Sequence, residues 1–166
     1  MFDTAIAGSL PKPAWLAETD NEDISPWVNV IFQAWFERFG ADKEGWSWHP
    51  YTVAERLINL TKFFQQYGFP GPNDDLLAFL ALHGPAICNH FEYFGETHTG
   101  NHFANNGRGL FLGGLALGLN DWVDIGGQIL LEERKRIFTP RGILREESSH
   151  YHLLTTRWYT ECWLAA

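Results

Sequence analysis

Residues 101–119 read NHFANNGRGLFLGGLALGL, with five glycines among leucines and asparagines in a stretch of helical periodicity. Each glycine costs an exposed helix about 1 kcal/mol against alanine. A helix that keeps five of them needs close approach by its neighbours in return, so the predicted fold is a set of tightly packed helices. The same stretch does not cross a membrane, because its apolar part, Leu110 to Leu119, is about half of the roughly 20 residues a span needs. Nor is Gly107-Arg108-Gly109 a dinucleotide turn, since no strand precedes it and the spacing is wrong.

Working outward, the remaining chain also reads as helix. Downstream, a helix is predicted over about Trp122 to Phe138, broken by Thr139-Pro140-Arg141-Gly142. A last helix starts near Ser148 or Ser149 and runs to the end. Upstream, one helix spans Asn73 to about Phe94 with a kink at Pro85. Another begins near Pro50, carries Val53, Leu57, Leu60 and Phe64 on its apolar face, and ends at Tyr67-Gly68. The first begins at Ser25-Pro26 as N-cap and first turn. Its predicted stripe is Trp27, Val30, Ile31, Ala34 and Trp35, and Gly40 ends it. Residues 1–24, with two prolines and an acidic run, read as an irregular lead-in. No period-2 run is long enough for a central strand. Six helices with short connections predict an all-α domain of antiparallel helix hairpins over residues 25–166.

Composition narrows the function. The chain has 166 residues, 45% apolar, with 8 Trp and 13 Phe, which is one globular domain and not a disordered segment. A net charge of −8, with Arg134-Lys135-Arg136 as its one short basic run, excludes a general nucleic-acid binder. No basic and apolar leader is visible in Met1 to Asp20. Cys88 and Cys162 form one disulfide or none.

Side chains able to do chemistry gather in two places. One is His90 to Asn106, holding His90, Glu92, Tyr93, Glu96, His98, Asn101, His102, Asn105 and Asn106. The other is Arg145-Glu146-Glu147-Ser148-Ser149-His150-Tyr151-His152. Five of the seven histidines fall in these segments, which a bland helical bundle does not require.

Three motifs carry a resemblance to the heparinase II/III family of polysaccharide lyases. Gly100-Asn101-His102-Phe103-Ala104-Asn105 is similar to the family's GNH stretch. His49-Pro50-Tyr51-Thr52-Val53, with Arg56 and Asn59 after it, resembles its HPYTV helix. Gly142 followed by Arg145 to His152 resembles its ERS and YH segment. The three come in the family's order and cover roughly residues 46–160.

The resemblance implies β-elimination at a uronic acid of an acidic polysaccharide, with no cofactor and no metal. That reaction needs the uronate carboxylate neutralised, a base for the C5 proton and an acid for the leaving O4. By the same resemblance Asn101, with His102 beside it, is the neutraliser, and Tyr151 is the acid/base. A free tyrosine has a pKa of about 10, so Tyr151 needs positive charge or donors nearby, from Arg145, His150 or His152. Arg56 and His98 are candidates for holding a substrate anion, and Glu147 for a contact to substrate or to the residues around it. An acidic protein that binds a polyanion needs such a local positive pocket.

Each assignment has a plainer rival. Asn101 suits a helix N-cap, Tyr151 a core aromatic, Arg56 a surface ion pair and His49 a loop. Trp46, Trp48 and Trp122 are core, or platforms for sugar rings. The four imidazoles of His98, His102, His150 and His152 form a conceivable zinc set, which Gly100 disfavours by interrupting the helix. A polysaccharide- or capsule-binding toroid without catalysis is the rival function. The family places its helices in a toroid followed by a β-sandwich, in the periplasm or outside the cell. The present sequence accounts for part of that toroid, and uncovered apolar helix faces predict self-association.

Overall fold

The computed structural model describes residues 26–40, 45–67, 73–95 and 100–166. The predicted lead-in, the Ser25 cap, Gly68, Glu96 and His98 lie outside these residues. Among the described residues seven α-helices follow in order: α1 Pro26–Phe39, α2 Pro50–Tyr67, α3 Asn73–Ala81, α4 His83–Cys88, α5 Asn101–Leu117, α6 Asn120–Ile137 and α7 Ser149–Ala165. A short 3-10 turn, Trp46–Trp48, leads into α2. Among the described residues there is no strand, and the one isolated bridge pairs Phe138 with Leu144 in the α6–α7 connection. The all-α expectation therefore stands.

Two helical expectations are corrected. The helix from Asn73 stops at Ala81, restarts at His83 and ends at Cys88, so the break falls at Leu82 and residues 91–95 are not helical. Pro85 is the reason: it lacks the N–H that would bond the carbonyl of Ala81, and its ring crowds that carbonyl. Placing the break three residues before the proline relieves both. In α1 the predicted stripe holds in part: Trp35 packs on Phe79, but Val30, Ile31 and Ala34 are exposed, and Phe32 and Phe36 join Trp35 on Phe79, with Phe32 also against Phe64. Aromatic rings contribute more buried area than Val or Ile, so the helix turns its aromatic side inward.

The glycines of α5 do what their cost implied. A Cβ on Gly109 would stand 2.6 Å from Ala54 Cβ in α2, and one on Gly107 2.7 Å from Ile129 Cγ2 in α6. Helix α5 thus lies flush against α2 on one flank and α6 on the other. Gly118 adopts φ 72° as the left-handed C-cap, and the hairpin to α6 closes there with a Leu119 N–H bond to the Gly114 carbonyl, 2.9 Å.

Contacts along the helices fix their directions. Tyr51 and Glu55 of α2 meet Asn105 and Arg108 of α5, and Ala54 and Leu57 meet Gly109 and Gly113, so α2 and α5 run parallel. Tyr51 also meets Trp158, and Lys62 meets Glu161, so α7 runs the same way. Helix α6 runs the opposite way against α5: Gly107 faces Ile129 and Gly114 faces Val123, while on α7 Leu130 meets Tyr159 and Phe138 meets His152. The expected antiparallel hairpins are present as α5–α6 and α6–α7. The core lies between α2, α4 and α5, with Leu57, Leu80, Ile87 and Leu110 fully covered.

Candidate active site

Parallel α2, α5 and α7 bring their polar N-terminal halves to one place, joined by the chain that leaves α4. Asn101 is the first residue of α5 and is buried. The N-cap is Gly100, so the capping role does not account for Asn101. His102 follows it, half-exposed, with its ring 4.7 Å from that of Tyr51. Tyr151, on the first turn of α7, is exposed and interacts electrostatically with Tyr51. His102 therefore lies against Tyr51, which also senses the charge of Tyr151, and Asn101 stands next to His102 at the start of α5.

The centre of this region is a carboxylate. Glu92 is 8% exposed, and its Oε1 lies 2.7 Å from His102 Nδ1 and 3.6 Å from His49 Nε2. Asn106 closes the back by accepting the Glu92 N–H at 3.2 Å and donating to Oε2 at 3.4 Å. A buried carboxylate needs such partners, because losing water without them is costly. With Glu92 ionised, Nδ1 of His102 carries the proton and donates, and Nε2 is left for a ligand. Burial, then the Glu55 carboxylate, pushes the Tyr51 phenol above its ordinary value despite Arg108 nearby. Tyr51 accordingly remains a hydrogen-bond donor at neutral pH.

Beneath these groups, Arg108 is nearly covered and acts as a clamp. It donates to Glu55 Oε1 at 2.8 Å in α2, to Glu161 Oε2 at 2.7 Å in α7 and to Asn105 Oδ1 at 3.1 Å, with Trp158 against its face. Partial burial raises the Glu161 carboxyl, but the Arg108 and Lys62 bonds outweigh it and hold it at about 2. One guanidinium therefore ties the three parallel helices together just below the candidate site.

The other predicted residues lie elsewhere. Arg56 points away from Tyr51 and packs between the rings of Trp35 and Trp48, 4.4 and 4.9 Å from their centroids. It donates to His83 Nε2 at 3.0 Å and to the Ser47 carbonyl, and burial lowers it to about 10. Neither a substrate contact beside Tyr151 nor a surface ion pair describes it. Arg145 is exposed on the α6–α7 side. Glu147, also exposed, holds φ 56° in the turn before α7. His152 is half-buried, and its Nδ1 accepts the Leu144 N–H at 3.2 Å, so it braces that turn.

Among the described residues no three His, Cys, Asp or Glu side chains group as metal ligands do. Cys88 and Cys162 are free thiols, each pushed up to about 11 chiefly by burial. No described helix is long and apolar enough to cross a membrane. Trp48 is core, Trp122 packs against it, and Trp46 is exposed with its ring 5.3 Å from His49.

Sequence reasoning missed Glu92 as the carboxylate that holds His102, His49 as its second imidazole, and Tyr51 as the ring against His102. Tyr51 and His49 both stood inside the HPYTV motif, which was the available signal. Compared with known families, residues 10–164 match the model described as the heparinase II/III N-terminus. No curated protein and no solved structure matches the chain.

Proposed function

The chain belongs to the heparinase II/III family, and from that premise we propose that it is the helical part of a polysaccharide lyase acting on uronic-acid polymers by β-elimination. The observation that carries the reading is His102, held at 2.7 Å by the buried Glu92 and set against the ring of Tyr51; Asn101 beside it and Tyr151 on the first turn of α7 complete the proposed site. Three parallel helices in contact, with α6 antiparallel to α5, are what a segment of an α/α toroid contains, and this supports that architecture.

In the reaction, the Asn101 amide and the His102 imidazole hydrogen-bond the uronate carboxylate. That draws electron density from C5 and weakens its C–H bond. Tyr151, as phenolate, takes the C5 proton. The electron pair forms the C4–C5 double bond, and the C4–O4 bond breaks towards O4. The same phenol then returns a proton to O4, so one group serves as base and acid in turn. His150, 5.5 Å from the Tyr151 ring, is the neighbour placed to donate to the phenolate. Protonated Tyr51 is a second donor beside the pair.

The test is absorbance of the unsaturated uronate over a panel of uronate polysaccharides. Tyr151→Phe removes the proton carrier and is expected to lower kcat by about 10²-fold or more. Asn101→Ala, which leaves the carboxylate charged, is expected to cost a comparable factor. Product that forms equally well with Tyr151→Phe removes Tyr151 from the reaction. Binding without product in the parent chain favours a non-catalytic polysaccharide binder.

A further inference from the structure

A second feature lies on the other flank of α7 and takes no part in the chemistry above. Between the C-terminal end of α6 and α7 runs a groove of about 670 Å³, walled by Arg134, Lys135, Phe138, Arg145, Tyr159 and Trp163. Three cations on one groove is unusual for a chain with 12 basic residues and a net charge of −8. Lys135 is paired with Glu132 at 2.8 Å, but among the described residues neither Arg134 nor Arg145 has a carboxylate partner. Their counter-charge is left to a ligand.

The groove is also aromatic. Trp163 is 76% exposed, although burial of an indole is strongly favourable. The Tyr159 hydroxyl turns inward to the Leu130 carbonyl at 2.9 Å, and its ring packs edge-on to Phe138 at 5.7 Å. The phenol is therefore spent inside, and the ring wall faces the groove. Sugar rings present apolar C–H faces to aromatic rings and carboxylates to guanidinium forks, and a volume of this size suits a small oligosaccharide. The negative end of α6 accounts for Arg134 and Lys135 by itself. It does not account for Arg145, which comes from the turn before α7, nor for an uncovered tryptophan.

We infer that this groove is a second acidic-oligosaccharide site, separate from the Tyr151 region, in which Arg134 and Arg145 hold sugar carboxylates and Trp163 stacks on a ring. That the ligand is a saccharide rests on the lyase-family reading, and the site would hold the polymer while another stretch of it is cleaved. Nucleic acid combines anions with stackable rings too, but the overall negative charge repels it over long range.

The experiment is an NMR titration of the Trp163 indole N–H, assigned by its loss in Trp163→Phe, with an alginate tetrasaccharide as the probe. The peak is expected to move with the parent chain and with Tyr151→Phe, and to require about tenfold more ligand in the Arg134→Ala/Arg145→Ala double variant. Both arginines are exposed, so the double variant is expected to melt within about 2 °C of the parent. A peak that stays still, or moves alike in the double variant, overturns the site. Equal movement with cellotetraose or with a dT octamer overturns it as well, because the groove then reads any sugar or any polyanion. The product assay with Tyr151→Phe is independent of these outcomes, so failure of the groove and failure of the lyase reading are told apart.

Discussion

A carboxylate that is 8% exposed and faces two imidazoles is costly unless its charge has a use. Glu92 bonds Nδ1 of His102, and in the proposed reaction this leaves Nε2 as the nitrogen that would face the substrate. Glu92→Gln keeps the shape and removes the charge, so His102 can turn or change tautomer. The expected outcome is a loss of about 10²-fold in kcat/KM with an altered pH–rate profile. An unchanged profile would take Glu92 out of this role. Asn101, His102 and Tyr151 could be singled out as candidates in the sequence because each stands in a short motif. Glu92 was not, since its partners lie 10, 14 and 43 positions away and only the fold brings them together. Arg56 shows the converse: a motif residue whose surroundings, two indoles and a neutral histidine, could not be read from spacing.

Two neighbouring glycines of α6 give opposite expectations. A Cβ on Gly126 would meet the Phe111 amide nitrogen at 2.5 Å and the Gly107 carbonyl at 2.6 Å, both backbone atoms of α5 that cannot turn aside. Gly126→Ala must push the helices apart, and is expected to destabilise by about 1–3 kcal/mol despite the gain in helix propensity. At Gly127 the nearest atoms are the Phe111 ring carbons at 3.7 and 3.8 Å, which is ordinary contact. Gly127→Ala is expected to stabilise by about 0.5–1 kcal/mol. Thermal melting of the two variants reads the difference, and equal signs would mean that the α5–α6 contact is looser than described. Helix positions were the most legible level of the fold, because caps, prolines and glycines mark ends locally. The start of α2, the span of α5 and the start of α7 follow such marks. What spacing could not supply was the inward face of α1, where Phe32 and Phe36 stand beside the predicted stripe and only the partner, Phe79, draws the helix round to them.

At the scale of the whole molecule, a buried histidine and a partly buried carboxylate make folding sensitive to acid, and both with the same sign. His83 is fully covered, with Nδ1 3.0 Å from the Phe79 carbonyl and Nε2 accepting from Arg56. Those contacts suit the neutral ring, and burial, then the Arg56 charge, lowers its pKa from 6.5 to about 3. Between those values the unfolded chain binds a proton that the folded chain refuses, so stability falls as pH falls from about 6.5. By pH 5 this one group removes roughly 2 kcal/mol, about 4–8 °C in melting temperature for a domain of this size. Glu161 acts lower down: held at about 2 by Arg108 and Lys62 against the opposing pull of burial, it stays ionised when folded. The unfolded chain takes up its proton below about 4.5, so the stability that the Arg108 clamp contributes is lost from there towards pH 2. His83→Asn keeps an acceptor for Arg56 but does not titrate. It is expected to flatten the melting curve between pH 7 and 5 and to leave the drop below 4.5 in place. Glu161→Gln is expected to do the reverse, and to cost about 2–3 kcal/mol at neutral pH because the buried Arg108 keeps Glu55 as its one carboxylate. A slope between pH 7 and 5 that survives His83→Asn would assign the upper window to another histidine.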